Sequence, residues 1–118
     1  MSSAPPSDCL FCRIASGELA TAFAYEDEHV VAFHDTNPQA PVHVLVIPRR
    51  HIADIADLPS TDPSDVGGIM RGVASAAAAV ARPGGYRVVA NLGPDAGQSV
   101  FHLHFHVLSG RRLGWPPG

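Results

Sequence analysis

The sequence predicts an α+β domain: an antiparallel sheet of about five strands whose face is covered by one long and one short helix. Five short β-branched or aromatic runs are separated by turn residues, and most of the connections are too short for a parallel crossover. One alanine-rich segment has the length of a helix. A chain of 118 residues forms a single domain. We expect that domain over residues 8–118, after a disordered lead over residues 1–7 and with an extended tail over residues 109–118.

The smaller elements are bounded by turn and capping residues. Asp8 is the expected N-cap of a short helix over residues 9–16, and Gly17 stops it. The charged residues 26–28 join the first two strands as a hairpin, and the proline-containing residues 37–41 form a turn. The predicted strands are Ala22–Tyr25, His29–Phe33, Val42–Ile47, Tyr86–Ala90 and Val100–Leu108.

The long helix follows an irregular polar segment. Thr61 or Asp62 caps it, Pro63 occupies its first turn, and it runs to about Arg82. Gly67–Gly68 lies inside it, at a cost of about 1 kcal/mol per glycine relative to alanine. The alanine-rich second half restores helix propensity.

Composition and charge exclude several functions. A formal net charge of −3 provides no basic surface for nucleic-acid backbones, although one small anionic ligand remains possible. The small apolar run over residues 74–81 is too short to span a bilayer. Residues 1–7 have no basic segment followed by an apolar one, so they do not resemble a signal peptide. We therefore expect a soluble, cytoplasmic protein with no membrane or nucleic-acid partner.

Three histidines dominate the chemistry of the chain. His102, His104 and His106 alternate with bulky apolar residues, and a period of two places their imidazoles on one face of a strand. One interpretation is a catalytic zinc site, because two imidazoles on a strand and a third ligand leave an open position. Another is nucleophilic and acid–base chemistry by neutral rings. The plain alternative is a half-exposed polar face.

Two further features carry chemical groups. The loop over residues 91–99 brings Asn91, Gly97, Gln98 and Ser99 next to the histidines, and its amide, hydroxyl and backbone donors suit a phosphate. Taken alone, a glycine-rich loop only turns the chain. Cys9 and Cys12 form a C-x-x-C pair, which in a reducing compartment indicates redox chemistry, a metal site or inert buried thiols.

At these residues the sequence resembles a known family. His102–Leu108 matches the His-φ-His-φ-His-φ-φ signature of the histidine triad (HIT) superfamily, where φ is an apolar residue. Further segments resemble its nucleotide-binding branch and recur in the same order along nearly the whole chain. They are Ala32–Asp35, Pro38–His43, Gly97–Val100 and Trp115–Gly118.

The resemblance implies a homodimer that hydrolyses purine nucleoside phosphoramidates, such as adenosine 5′-phosphoramidates, or aminoacyl-adenylates. It implies that His104 attacks the α-phosphorus to form a nucleotidyl-histidine intermediate, which water cleaves. His106 would hydrogen-bond the phosphate, and His102 and His43 would orient the nucleophile.

The same resemblance assigns the nucleotide contacts. The matching positions are Phe11, Ile14, Phe33 and Leu45 for the base, Asp35 and Thr36 for the ribose, Asn91, Gly97, Gln98 and Ser99 for the phosphate and leaving group, and Trp115 at the partner's site. Asp35 has a plainer alternative, which is to cap the turn into Pro38. His34 is expected to face solvent or the interface, and Arg111 and Arg112 read as a solvated stretch.

Zinc is the cofactor that the resemblance implies. Several bacterial members hold it with two cysteines and two histidines, and the matching residues are Cys9, Cys12, His51 and His102. Zinc would be a structural accessory that leaves His104 free to attack, and catalysis would need no cofactor. Two other functions stay open: a nucleotide-binding regulatory or scaffold protein with incidental hydrolysis, and a zinc hydrolase that uses the triad as ligands.

Overall fold

The computed structural model describes residues 8–118, so the predicted disordered lead lies outside the described residues. Two helices and five strands follow one another in an order close to the predicted one. They are α1 (Leu10–Ala15), β1 (Tyr25–Glu26), β2 (Val30–His34), β3 (Val42–Pro48), α2 (Pro63–Val80), β4 (Tyr86–Val89) and β5 (Phe105–Ser109). Short 3-10 turns cover Ile55–Ser60, within the segment predicted to be irregular, and Pro94–Ala96.

The strands form one sheet in the order β1-β2-β3-β5-β4, and every neighbouring pair is antiparallel. This confirms the predicted α+β class. β3 is the central strand, and all seven of its residues are buried. No helix within residues 8–118 combines the length and the apolar composition needed to cross a membrane.

The two helices lie on opposite faces of the sheet, so the prediction that both cover one face is wrong. Val44 and Val46 of β3 pack with α2 residues such as Ile69, whereas Leu45 and Ile47 pack with α1. Because successive strand residues point to opposite faces, a strand such as β3, whose residues are all buried, needs a cover on each side. We call the second side the α1 face.

The C-terminal strand begins later than predicted, at Phe105 instead of Val100. Its ladder with β3 stops at the pair Val46↔Phe105. Pro48 has no N–H to donate, and the Leu103 N–H instead donates to the Ile52 carbonyl at 2.6 Å. The alternation of faces survives outside the ladder, since Leu103, Phe105 and Val107 all lie in the core under α2.

The helix ends differ from prediction by a residue or two. Cys9, and not Asp8, caps α1: its Sγ accepts the Cys12 N–H at 3.3 Å. Gly17 follows with φ +84°, as a glycine stop requires. Asp62 caps α2 by accepting the Ser64 N–H at 2.8 Å. That helix ends at Val80, two residues before the predicted end.

Glycine inside α2 has a packing reason that the sequence did not reveal. A Cβ at Gly72 would lie 2.6 and 2.9 Å from the two methyl carbons of Val30, which is fully buried. A Cβ at Gly68 would collide with the His29 ring. At Gly67 a Cβ would meet only the end of the Arg71 side chain, at 3.4 Å. Gly68 and Gly72 therefore let α2 approach β2 closely.

We predict that Gly72→Ala lowers the free energy of unfolding by about 1–3 kcal/mol, because overpacking against Val30 outweighs the gain in helix propensity. Gly67→Ala is the matched control and should raise it by up to about 1 kcal/mol, because it has the same propensity gain without the clash. Urea unfolding of both variants measures the difference. Equal effects would contradict the packing explanation.

Candidate active site and metal centre

The three triad histidines lie together on the α1 face of the sheet. Their burial differs: His102 is fully buried, His104 is 8% exposed and His106 is partly exposed. The His104 ring lies 5.1 Å from that of His106 and 5.3 Å from that of Phe11. Only His106 belongs to β5, and the other two precede it.

A backbone carbonyl fixes the tautomer of His104. Its Nδ1 lies 2.8 Å from the carbonyl oxygen of His102. A carbonyl only accepts hydrogen bonds, so Nδ1 carries the proton and donates it. In the neutral ring the lone pair is then on Nε2, which is the nucleophilic form of an imidazole.

A second chain of hydrogen bonds fixes His43 and His106. The Gln39 N–H donates to His43 Nδ1 at 3.0 Å, so in the neutral ring the proton is on Nε2. His43 Nε2 lies 2.9 Å from His106 Nδ1 and donates to it. The proton of His106 is therefore on Nε2, where it can be donated to a ligand.

His106 is neutral in this environment. Burial, followed by the nearby His104 and His43, lowers the pKa of His106 from 6.5 to about 4, and Asp35 opposes that shift. The His106 ring therefore carries one proton at pH 7, and that proton is on Nε2 because Nδ1 accepts the bond from His43. It can stabilise an anion as a hydrogen-bond donor and not as a cation.

The predicted ribose ligand Asp35 lies beside this chain. Its Oδ2 is 3.5 Å from His43 Nε2, and its Oδ1 accepts the Asn37 N–H at 2.8 Å. The plainer role predicted for Asp35, capping of the turn, is thus also present. Thr36, the other predicted ribose contact, is exposed.

Asp35, His43 and His106 offer three potential metal ligands that lie within 4.8 Å of one another. The hydrogen bond behind His43 opposes that use. A metal at Nε2 needs a lone pair there, which would move the proton to Nδ1 and into the Gln39 N–H donor. The arrangement of these three side chains therefore favours a chain of hydrogen bonds over the binding of a cation.

A second cluster brings together all four predicted zinc ligands, Cys9, Cys12, His51 and His102. One ligand atom of each lies within 4.8 Å of the others. His102 Nδ1 is 3.4 Å from both sulfurs, and His51 Nδ1 is 3.2 Å from the Cys12 sulfur. Ligands of one tetrahedral zinc are separated by about 3.5 Å between S and N, so these distances fit with small shifts.

The hydrogen bond on the far side of the His102 ring favours a role for His102 as a metal ligand. Its Nε2 lies 2.9 Å from the Pro48 carbonyl oxygen and must donate to it, so the lone pair is on Nδ1, facing the thiols. An imidazole that donates its other N–H to a carbonyl is the usual arrangement behind a metal ligand. Burial, followed by the charges of His51 and His104, lowers the pKa of His102 to about 4, which keeps the ring neutral.

The thiols also need a cation before both can ionise. Burial, and then the hydrogen bond and charge of Cys9, raise the pKa of Cys12 to about 12. A bound divalent cation reverses that effect and deprotonates coordinating thiols. The donor set S₂N₂ matches zinc.

The residues predicted to wall the base pocket form one apolar cluster on the α1 face, and each is less than 9% exposed. They are Phe11, Ile14, Phe33 and Leu45. The Phe11 ring packs in T-shaped arrangements against Phe33, with 5.7 Å between ring centres, and against His104. The predicted base wall therefore adjoins the predicted nucleophile.

In the loop before the histidines, one polar side chain is buried and bonded to the backbone, while neighbouring polar groups are exposed. The Gln98 side chain turns inward: its Oε1 accepts the Gly93 N–H at 2.9 Å, and its Nε2 donates to the carbonyls of Ala53 and Val100. Gly97 adopts φ +93° and is exposed, as is Ser99. The Gln98 amide, predicted to hold phosphate oxygens, is thus engaged with the backbone, while its neighbours are accessible.

One predicted residue lies away from this site, and two backbone groups within it were not predicted. Trp115 is 83% exposed, so within one chain it covers no part of this site. The carbonyl of Pro48 and the N–H of Gln39 set the imidazole tautomers but were missed, because a backbone contact leaves no signal in residue type. Their only sequence signal is position: Pro48 closes β3, and Gln39 lies in the turn before His43.

The site thus brings a buried imidazole with its lone pair on Nε2 next to a hydrogen-bond donor, an apolar cluster and a potential metal site, all carried by an antiparallel sheet. Comparison with known proteins gives the family. The profile of the HIT domain family matches residues 16–113, and the chain belongs to that family.

Similar proteins support this over the length of the chain. An uncharacterized HIT-like protein of Synechococcus elongatus is 43% identical over 111 residues, covering 94% of this chain and 97% of the relative. A HIT family hydrolase of Legionella pneumophila has a structure with TM-score 0.81 and 42% identity, covering 94% of this chain and all of that one, 100%. The structure of a histidine triad protein of Clostridium difficile has a TM-score of 0.83 and 40% identity, covering 94% of this chain and 97% of that one.

Proposed function

We propose that this protein is a hydrolase of purine nucleoside phosphoramidates and related aminoacyl-adenylates, of the nucleotide-binding branch of the HIT family. The observation that carries the proposal is the His102 carbonyl behind His104, because it places a lone pair on His104 Nε2. Similarity to a protein described as a HIT family hydrolase adds support.

In the first step, Nε2 of His104 bonds to the α-phosphorus while the P–N bond breaks and the departing amine takes up a proton from solvent. The ring becomes a cation, and the His102 carbonyl stabilises it through Nδ1–H. The Nε2–H of His106 donates to a phosphoryl oxygen as charge builds there. In the second step, water bonds to phosphorus as the bond to His104 breaks, which releases the nucleoside monophosphate, the neutral ring and one proton to solvent.

Nucleotide binding uses the neighbouring groups. The base packs against Phe11 and the apolar cluster around it, and the ribose hydroxyls bind Asp35. Ser99, Asn91 and the backbone near Gly97 serve the phosphate and the leaving group. Gln98 shapes this loop through its backbone contacts.

We predict that His104→Ala lowers kcat on adenosine 5′-phosphoramidate by about 10³-fold or more, because the covalent route is lost. AMP affinity should change by less than about threefold, since the pocket walls and His106 remain. Steady-state kinetics and calorimetric titration with AMP measure the two quantities.

The matched control is His34→Ala, which removes an exposed imidazole from the same sheet and should leave both quantities unchanged. Near-normal turnover by His104→Ala would show that another group attacks. A wild-type protein that binds AMP tightly but scarcely turns over would favour the alternative, a nucleotide-binding regulatory or scaffold protein.

We also propose that the cluster of Cys9, Cys12, His51 and His102 binds structural zinc, on the strength of its distances and of the Pro48 carbonyl behind His102. Two thiols held free for a metal suit the reducing cytoplasm. Zinc here joins α1 to the segment that carries the nucleophile and takes no part in the reaction.

We predict one zinc per chain in freshly purified protein and a loss of melting temperature of at least about 5 °C on chelation. The double variant Cys9→Ser/Cys12→Ser should contain no zinc and ignore the chelator, whereas His34→Ala should behave as wild type. Metal analysis and thermal unfolding measure both. Zinc-free wild-type protein with a chelator-independent melting temperature would refute the site. A chelator that abolished hydrolysis without unfolding the protein would support a zinc hydrolase.

We further propose a homodimer formed through β4, the edge strand, on which Tyr86 is 47% and Val88 is 40% exposed. We expect light scattering to give the mass of two chains for the wild type and of one chain for Val88→Glu. Ile55→Glu changes a similarly exposed residue on a 3-10 turn and should remain dimeric. A monomeric wild type would overturn this proposal.

A further inference from the structure

Arg111, in the tail after β5, is exposed as the sequence predicted, but its guanidinium is also hydrogen-bonded to the backbone. Its Nη2 and Nε both donate to the carbonyl oxygen of Gln39, at 2.9 and 3.3 Å. Its Nη1 donates to the Arg112 carbonyl at 2.9 Å. Next to it, Gly110 packs so closely on Pro41 that a Cβ there would lie 2.9 Å from the proline Cβ. The tail thus both packs against the turn over residues 37–41 and hydrogen-bonds to it.

The same turn reaches the site on its other side. Gln39 uses its carbonyl for Arg111 and its N–H for His43 Nδ1. These two groups belong to adjacent peptide planes that meet at the Gln39 Cα, so a bond that anchors the carbonyl restrains the residue that presents the N–H. The other bonds of the turn, from the Gln39 side chain to the Asn37 carbonyl and from the Asn37 N–H to Asp35, leave the Gln39 carbonyl without a second donor within the described residues.

The tautomer of two imidazoles depends on that N–H. If the Gln39 N–H turns away, the His43 proton can move to Nδ1, and His43 Nε2 becomes an acceptor. His106 must then donate through Nδ1, which leaves a lone pair on His106 Nε2. The donor that faces the phosphate is lost, although no residue that touches substrate has changed.

We propose that Arg111 is a positioning residue for the hydrolysis: by holding the Gln39 carbonyl it keeps His43 and His106 in the tautomers that present the His106 Nε2–H to the phosphate. The kinetic part of this inference rests on the proposed function. The tautomer part rests only on the contacts of Arg111, Gln39, His43 and His106.

The kinetic experiment compares Arg111→Ala with Arg112→Ala on adenosine 5′-phosphoramidate. Both remove one positive charge from adjacent exposed positions, but only the first removes the bond to the turn, since Arg112 contributes its backbone carbonyl. We expect Arg111→Ala to lower kcat about tenfold with KM within about twofold, because the donor matters most as charge develops in the transition state. Arg112→Ala should match wild type, and Arg111→Lys, which can still donate to Gln39, should recover most of the loss.

The direct experiment is an NMR measurement of imidazole nitrogen shifts in ¹⁵N-histidine-labelled protein, with His43→Gln used to assign the His43 signals. In wild type and Arg112→Ala we expect the Nε2–H tautomer for both His43 and His106. In Arg111→Ala we expect a mixture that includes the Nδ1–H tautomer. Melting temperatures of all variants are compared to exclude unfolding as the cause.

Unchanged tautomers in Arg111→Ala would overturn the proposal, as would equal kinetic losses in Arg111→Ala and Arg112→Ala. If the wild type fails to hydrolyse the phosphoramidate, the proposed function falls. The nitrogen shifts then still decide whether Arg111 sets the tautomers.

Discussion

The hydrogen bond from His104 Nδ1 to the His102 carbonyl is the constraint on which the site depends. It exists because residues 102–104 have left the sheet. Inside an antiparallel ladder, carbonyls are taken up by the neighbouring strand. Here β3 ends at Pro48, which has no N–H to offer, so the chain opposite is released from pairing. The His102 carbonyl is therefore available to a side chain, and it fixes the lone pair of His104 on Nε2.

His102 connects this constraint to the rest of the molecule through three separate contacts. Its carbonyl holds His104, its Nε2–H holds the Pro48 carbonyl, and its Nδ1 faces the sulfurs of Cys9 and Cys12. The ring is fully buried, so none of these contacts can change without disturbing the others. A metal held at the thiols would thus fix the orientation of His102, whose carbonyl in turn fixes the His104 ring.

The features of the fold that could be predicted from the sequence are those that depend on the pattern of apolar and polar side chains. The α+β class and the approximate place of β2, β3 and β4 followed from apolar runs and turn residues, whereas β1 shares only Tyr25 with its predicted range. The burial of Leu103, Phe105 and Val107 followed from their alternation with the histidines. The start of β5 was wrong because the alternation continues where the hydrogen-bonded ladder does not. The helices were placed on one face because alternation alone does not say which side each helix covers.

The candidate site was predicted unevenly for the same reason. Residue types located the imidazoles and thiols, because few other side chains can do their chemistry. The contacts that define their tautomers come from the main chain of Gln39 and Pro48, where any residue offers the same carbonyl, so residue identity carries no signal. Arg111 is exposed as predicted, but its bond to the turn was not predicted because its partner is also a main-chain carbonyl.

These main-chain contacts also explain why two neighbouring groups of histidines differ in chemistry. Behind His102 stands an acceptor, the Pro48 carbonyl, which draws the ring proton away from the thiols and leaves them a lone pair. Behind His43 stands a donor, the Gln39 N–H, which holds the proton on the side of His106 and Asp35. The first arrangement suits a cation and the second suits an anion such as phosphate. The imidazoles are chemically identical, so the backbone group that bonds one ring nitrogen decides whether the other nitrogen is a donor or an acceptor. These two backbone groups lie in the turn before β3 and at its last residue.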